Sequence, residues 1–207
     1  GAVESSGTIK TVVAIFLSPV IGFAIAMLLM LITSWIFRHA RPRHAERSFK
    51  SMHLLSSAAY SISHGDNDAQ KTMGVIAVLL YSTGHLGPDF YVPEWVVISC
   101  YLAIALGTLS GGWRIIKTMG SKLSKLNHHS GFCASTAGSI VVFGASVMGI
   151  PISTTHAITG SVVGTGAARR ASAVRWNIAS RVIVAWFITI PASAGVGALF
   201  YMITRLF

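Results

Sequence analysis

Residues 63–72 read Ser63-His64-Gly65-Asp66-Asn67-Asp68-Ala69-Gln70-Lys71-Thr72, and three of these side chains are charged. Neither 51–65 nor 72–88 contains a single Asp, Glu, Lys or Arg. Asp or Lys at the centre of a membrane-spanning helix costs about 3 kcal/mol each, so Asp66, Asp68 and Lys71 together cost about 9 kcal/mol if they lie there. Ionisable groups kept at such depth face a cavity or one another and mark a path for ions or substrate. Gly65 and the short polar residues after it predict a break in the helix near 65–68.

A second polar cluster, Ser153-Thr154-Thr155-His156, follows Gly149-Ile150-Pro151 and precedes an apolar run. Hydroxyl residues directly before an apolar run are a helix N-cap signature, and Pro151 fits just upstream. A helix that starts inside a membrane points free N–H groups and the positive end of its dipole at whatever lies before it. Two such starts are expected, near 67–69 and near 153–155. Together with the hydroxyls of Ser153, Thr154 and Thr155 they make an anion site that needs no covalent chemistry. Asp66 and Asp68 would repel an anion alone; they suit a cation or proton held beside it. Broken helices that hold an anion and a coupling ion at the midplane are the recurring plan of secondary transporters.

Plainer roles stand next to these. Lys71 lies three residues after Asp68, the spacing of a helix-surface ion pair. His64 and His156 either satisfy backbone carbonyls or carry a proton. Gln70 and Thr72 are supporting candidates by proximity alone. His128 and His129, beside a basic segment, are expected to be solvated.

The elements that must position these residues are apolar. The 207 residues are 53% hydrophobic and 11% charged, against about a quarter charged in soluble domains. Residues 11–37, 95–113 and 182–204 are uncharged and long enough to span a bilayer, and 126–168 extends 43 residues without Asp, Glu, Lys or Arg. The expected fold class is an all-α integral membrane protein, a polytopic helical bundle in a single transmembrane domain. Its spans are about 11–37, 51–81 (broken near 65–68), 95–113, a re-entrant helical hairpin over 131–168, and 177–204.

The net charge of +10 is not a nucleic-acid signature here. Thirteen of the sixteen Lys and Arg fall in 38–50, 114–125 and 169–181, the flanks of apolar runs. The positive-inside rule makes these segments cytoplasmic and puts both termini outside, in a multi-pass cell membrane protein of the bacterial inner-membrane kind. Residues 114–125 alternate apolar and basic groups as a helix lying on the membrane surface does. The stretch 126–168 starts and ends beside basic segments. It is expected to turn inside the bilayer, not as two full spans, because only then does the Ser-Thr-Thr-His cluster reach the depth of Asp66 and Asp68. Cys100 and Cys133 read as small buried hydrophobes. No signal peptide is visible at Gly1-Ala2-Val3-Glu4, which reads as the middle of a longer polypeptide.

With both clusters in hand, the chain resembles the inorganic phosphate transporter (PiT) family from about Lys50 onward. Gly65-Asp66-Asn67-Asp68, within Ser63 to Gly74, is similar to that family's Gly-x-Asn-Asp motif. Pro151-Ile152-Ser153-Thr154-Thr155-His156-Ala157 is similar to its Pro-[Val/Ile]-Ser-Thr-Thr-His-Ala motif. The resemblance implies symport of phosphate with Na⁺ or H⁺, inverted repeats, and a substrate site at their interface. By position, Asn67, Asp68, Ser153, Thr154 and Thr155 are the implied site residues. Asp66 departs from the pattern, since the family has a small or neutral residue there. A full transporter carries two copies of each motif and this chain carries one, so the chain reads as the C-terminal half, with the first inverted repeat absent. The implied partners are phosphate, membrane lipid, the missing half or a second subunit, and further copies in a homo-oligomer. No resident cofactor is implied. A sulfate or other oxyanion permease of the same architecture is the second reading. An intramembrane metal enzyme using His64, Asp66, Asp68 and His156 is the third, weakened by the lack of a separate base or nucleophile.

Overall fold

The computed structural model describes residues 5–205. Among the described residues there are seven α-helices: α1 (Ser5–Ile36), α2 (Pro42–Ser82), α3 (Glu94–Gly111), α4 (Trp113–Lys117), α5 (His128–Val147), α6 (Thr154–Arg169) and α7 (Trp176–Thr204). A π turn, Thr118–Leu123, follows α4, and an isolated antiparallel bridge joins Ser124 to Val174. Four helices, α1, α3, α5 and α7, are long and apolar enough to cross a membrane. Their large side chains are mostly exposed, from Phe16 in α1 to Phe200 in α7, as lipid contact requires.

The expected break at 65–68 is not there: α2 is one helix of 41 residues. Glycine within a helix costs only about 1 kcal/mol relative to alanine, and no proline follows it here. The short polar side chains also find partners away from their own backbone. Gln70 Nε2 donates to Asp66 Oδ1 (3.0 Å), Lys71 Nζ to Asp68 Oδ1 (3.0 Å) and Asn67 Nδ2 to Ser146 Oγ (3.2 Å). There is thus no helix start at 67–69 and no dipole end aimed from α2.

Two reversals are fixed by left-handed glycines. At Gly149 (φ 66°) the Ile150 N–H reaches Ala145 O (2.9 Å) and the Gly149 N–H reaches Ser146 O (3.0 Å), satisfying carbonyls at the end of α5. Gly84 (φ 76°) ends α2 in the same way through His85 N–H and Leu80 O (2.9 Å). Pro151 then bars any continuation of α5, and α6 starts behind Ser153, whose hydroxyl accepts from the His156 N–H (3.4 Å). Helices α5 and α6 therefore form a hairpin.

Small residues let these helices touch backbone to backbone. A Cβ on Gly160 or Gly164 would collide with the α1 backbone at Pro19 or Phe23, and one on Gly22 would lie 2.7 Å from Ala157 O. Gly160 and Gly164 are four apart, the small-x-x-x-small spacing of close membrane-helix packing. Across α2 and α5, the His53 ring covers Gly131 and the Tyr60 ring covers Gly138. Helix α3 packs on the second half of α2 through Ala69, Met73, Val96 and Cys100. Both cysteines are free and buried.

The three basic segments meet at one end of the bundle. Phe37 and Phe49 rings lie 4.7 Å apart, the Arg175 N–H donates to Leu123 O (3.0 Å), and Arg169 Nη1 to Lys125 O (3.4 Å). His129 is not solvated: it stacks on Phe49 (4.1 Å) and bonds the Thr33 hydroxyl through Nε2 (2.6 Å). Exposed Trp35, Trp113 and Trp176 ring this end, while Tyr81, Tyr91, Trp95 and Tyr201 ring the other. From Trp95 to Trp113 the helical rise is about 27 Å, close to a bilayer's hydrocarbon thickness. These belts are what membrane interfaces select.

Candidate functional site

The hairpin brings the start of α6 against the middle of α2. Thr154 Oγ1 donates to Asp68 Oδ2 (3.2 Å), and Tyr60 Oη donates to the Thr154 carbonyl (3.2 Å). Lys71 Nζ spans the junction, 3.0 Å from Asp68 Oδ1 and 2.7 Å from the Ile152 carbonyl. His64 Nδ1 lies 3.5 Å from Asp68 Oδ2, and its ring stacks on Tyr60 (6.0 Å). Asp68 is therefore neutralised by Lys71 and sits near the positive end of α6.

A polar seam continues toward α5. Ser63 and Ser139 hydroxyls are 3.2 Å apart, and Asn67 holds Ser146, the penultimate residue of α5. Asn67 is buried, yet its Oδ1 has no hydrogen-bond partner among the described residues. A buried acceptor left open in this way costs about 1–3 kcal/mol unless a ligand or water meets it.

Asp66 lies elsewhere. Residues two apart on a continuous helix diverge by about 200°. Asp66 accordingly turns to α3, where Tyr101 Oη donates to its Oδ1 (3.2 Å) alongside Gln70, and it shares no partner with Asp68. The expected joint cation seat of Asp66 and Asp68 is not assembled within this chain. Gln70 serves Asp66, and the Thr72 and Thr155 side chains are exposed.

His156 turns the opposite way for a traceable reason. Pro19 has no N–H, so the Ile15 carbonyl loses its helical donor. His156 Nδ1 lies 3.4 Å from that oxygen, and Ser18 Oγ lies 3.5 Å from it. The imidazole is further stacked on Trp186 of α7 at 3.8 Å. With His156 turned to α1 and Asp66 turned to α3, the set His64, Asp66, Asp68 and His156 does not surround one metal ion. No other group of three His, Cys, Asp or Glu among the described residues can hold one.

The reading from residue types missed Tyr60, Ser139, Ser146 and Tyr101. Tyr60 had a signal, since Tyr60, His64 and Asp68 recur every four residues and share a face of an unbroken helix. The other three are reached only through tertiary packing.

A model of the phosphate transporter family matches residues 1–197. A Rhizobium meliloti protein named "Probable low-affinity inorganic phosphate transporter" is 57% identical over 200 residues, covering 97% of this chain and 60% of the relative. A Bacillus subtilis protein of the same name is 38% identical over 205 residues, 99% of this chain and 62% of the relative. A solved structure titled "The sodium-dependent phosphate transporter" superposes with a TM-score of 0.71 at 24% identity, covering 99% of this chain and 59% of that one. The chain thus spans about three-fifths of the length of these relatives.

Proposed function

The chain belongs to the phosphate transporter family, and from that premise we propose that it is part of a secondary transporter that moves inorganic phosphate together with a cation, Na⁺ or H⁺. The observation that carries this reading is the Asp68–Thr154 junction. It joins the two sequence clusters at the start of α6.

Phosphate would lie at the start of α6, against first-turn N–H groups and the hydroxyls of Ser153 and Thr154, with Asn67 completing the pocket. Thr155 would reach it only from the exposed side. The cation would meet Asp68 and the Ile152 carbonyl, two oxygens now bridged by the Lys71 ammonium. Asp68 and Lys71 remain 33% and 41% exposed although they lie within α2, more than two turns from either end. Such groups are not left against lipid, so protein or water has to cover them. The missing two-fifths of the transporter, or a second subunit, is the natural cover.

Asp68 follows Lys50 by about 27 Å of helical rise and precedes Tyr81 by about 20 Å. A re-entrant hairpin would bring Ser153 and Thr154 to the level of Asp68, where Thr154 bonds its carboxylate. Both termini would face outward, with the basic end cytoplasmic.

The test is uptake of radiolabelled phosphate by cells that lack other phosphate carriers and express the intact transporter bearing this chain. Saturable uptake that excess sulfate leaves untouched and that collapses with the cation gradient is expected. Equal competition by sulfate would move the reading to a general oxyanion permease.

A further inference from the structure

After Glu94 the chain contains no Asp or Glu at all, while it still carries nine Lys and Arg. Six of them, Lys122, Lys125, Arg169, Arg170, Arg175 and Arg181, are exposed, and the fold brings the segments of Lys125, Arg169, Arg170 and Arg175 together. The Ser124–Val174 bridge and the Arg175-to-Leu123 hydrogen bond hold the segment after the π turn against the start of α7, and Arg169 bonds the Lys125 carbonyl. Among the described residues the only ion pairs are those of Asp68, so none of these six cations has a carboxylate partner. Glu46, the acid at this end, lines a separate cavity with His53 and His128.

The apolar side of the same surface is anchored. Leu123 is fully buried among Ala134, Val162 and Ala179, while Trp176, next to Arg175, stands exposed. An open surface depression lies beside Arg175, Trp176, Asn177 and Ile178. Exposed cations without internal counterions and the exposed Trp176 indole lie together around it. We infer that this surface is a docking site for anionic phospholipid, with a lipid phosphate seated between Arg170, Arg175 and Lys125 and its acyl chains running along α7. The inference rests on the membrane placement alone and is independent of what is transported.

Native mass spectrometry of the intact protein bearing this chain, purified in detergent, gives the test. The probes are phosphatidylglycerol, phosphatidylcholine and soluble glycerol phosphate. Phosphatidylglycerol should be retained at least tenfold better than phosphatidylcholine. Each cation removed near an anionic headgroup should weaken retention about fivefold, so Lys125→Gln, Arg170→Gln and Arg175→Gln together should lose about a hundredfold. Arg170→Lys with Arg175→Lys should keep the lipid, and Arg41→Gln with Arg43→Gln, on the other basic segment, should not matter. If the triple variant does not fold, wild-type protein still decides: raising NaCl from about 0.05 to about 0.5 M should strip phosphatidylglycerol. Equal retention of both lipids, salt-insensitive retention, or unchanged binding in a folded triple variant overturns the inference. Displacement by glycerol phosphate, or preferential capture of RNA, overturns it in favour of a soluble anion.

Discussion

The Thr154 hydroxyl donates to Asp68 Oδ2 across 3.2 Å and ties the first residue of α6 to the middle of α2. This bond connects a charge that is costly to keep at depth with the helix end best suited to compensate it. Lys71 closes the same junction from the other side by holding the Ile152 carbonyl. The consequences for substitution differ sharply between neighbouring residues.

Asp68 and Asp66 should separate. Asp68→Asn removes the charge that Lys71, His64 and Thr154 face and should abolish coupled uptake by the intact transporter. Asp66→Asn weakens the contact with Tyr101, worth about 0.5–1.5 kcal/mol, and should leave uptake within a few-fold of wild type. Equal loss from both, measured with labelled phosphate at matched expression, would mean that the two carboxylates act together.

Gly65 tests the continuity of α2. A Cβ there meets nothing within 4 Å, so Gly65→Ala should raise thermal stability by up to about 1 kcal/mol and preserve uptake. A folded variant without uptake would show that the chain must bend at this residue during transport.

The link between Pro19 and His156 can be read from a double-mutant cycle. His156→Leu leaves the Ile15 carbonyl short of a donor and should cost about 1–3 kcal/mol. In Pro19→Ala the helix supplies its own N–H to that carbonyl, so the same change should cost about 1 kcal/mol less. Thermal unfolding in detergent measures both. Additive losses would assign His156 its effect through Trp186 alone.

At Gly160 any side chain meets the Pro19 backbone, which cannot move aside as a flexible side chain can. Gly160→Val should destabilise by about 1–3 kcal/mol or prevent folding, as overpacking does. Gly107→Val, with nothing within 4 Å, is the matched control and should be tolerated. Similar melting of the two variants would count against the close α1–α6 contact.

Much of this arrangement is legible in the residues. The uncharged runs mark the long apolar helices, Gly149-Ile150-Pro151 marks the reversal of the hairpin, and Ser153 marks the start of α6. The Asp68–Lys71 pair follows from spacing alone. The continuity of α2 is not legible, because a glycine penalty near 1 kcal/mol is small against the tertiary contacts of a 41-residue helix. Once the helix is continuous, the opposite facing of Asp66 and Asp68 follows, and a motif read as one site divides between α3 and α6. His156 is a similar case: its partner is the carbonyl that Pro19 frees, 141 residues earlier in the chain.

Equilibrium phosphate binding to the purified intact transporter, compared between Thr154→Ala and Thr155→Ala, tests the central claim most directly. A hydroxyl bonded to a charged group contributes about 1.5–3 kcal/mol, so Thr154→Ala should weaken binding about ten- to a hundredfold with folding unchanged. Thr155, which is exposed, should matter far less. Wild-type affinity in a folded Thr154→Ala variant would contradict the placement of phosphate at the start of α6.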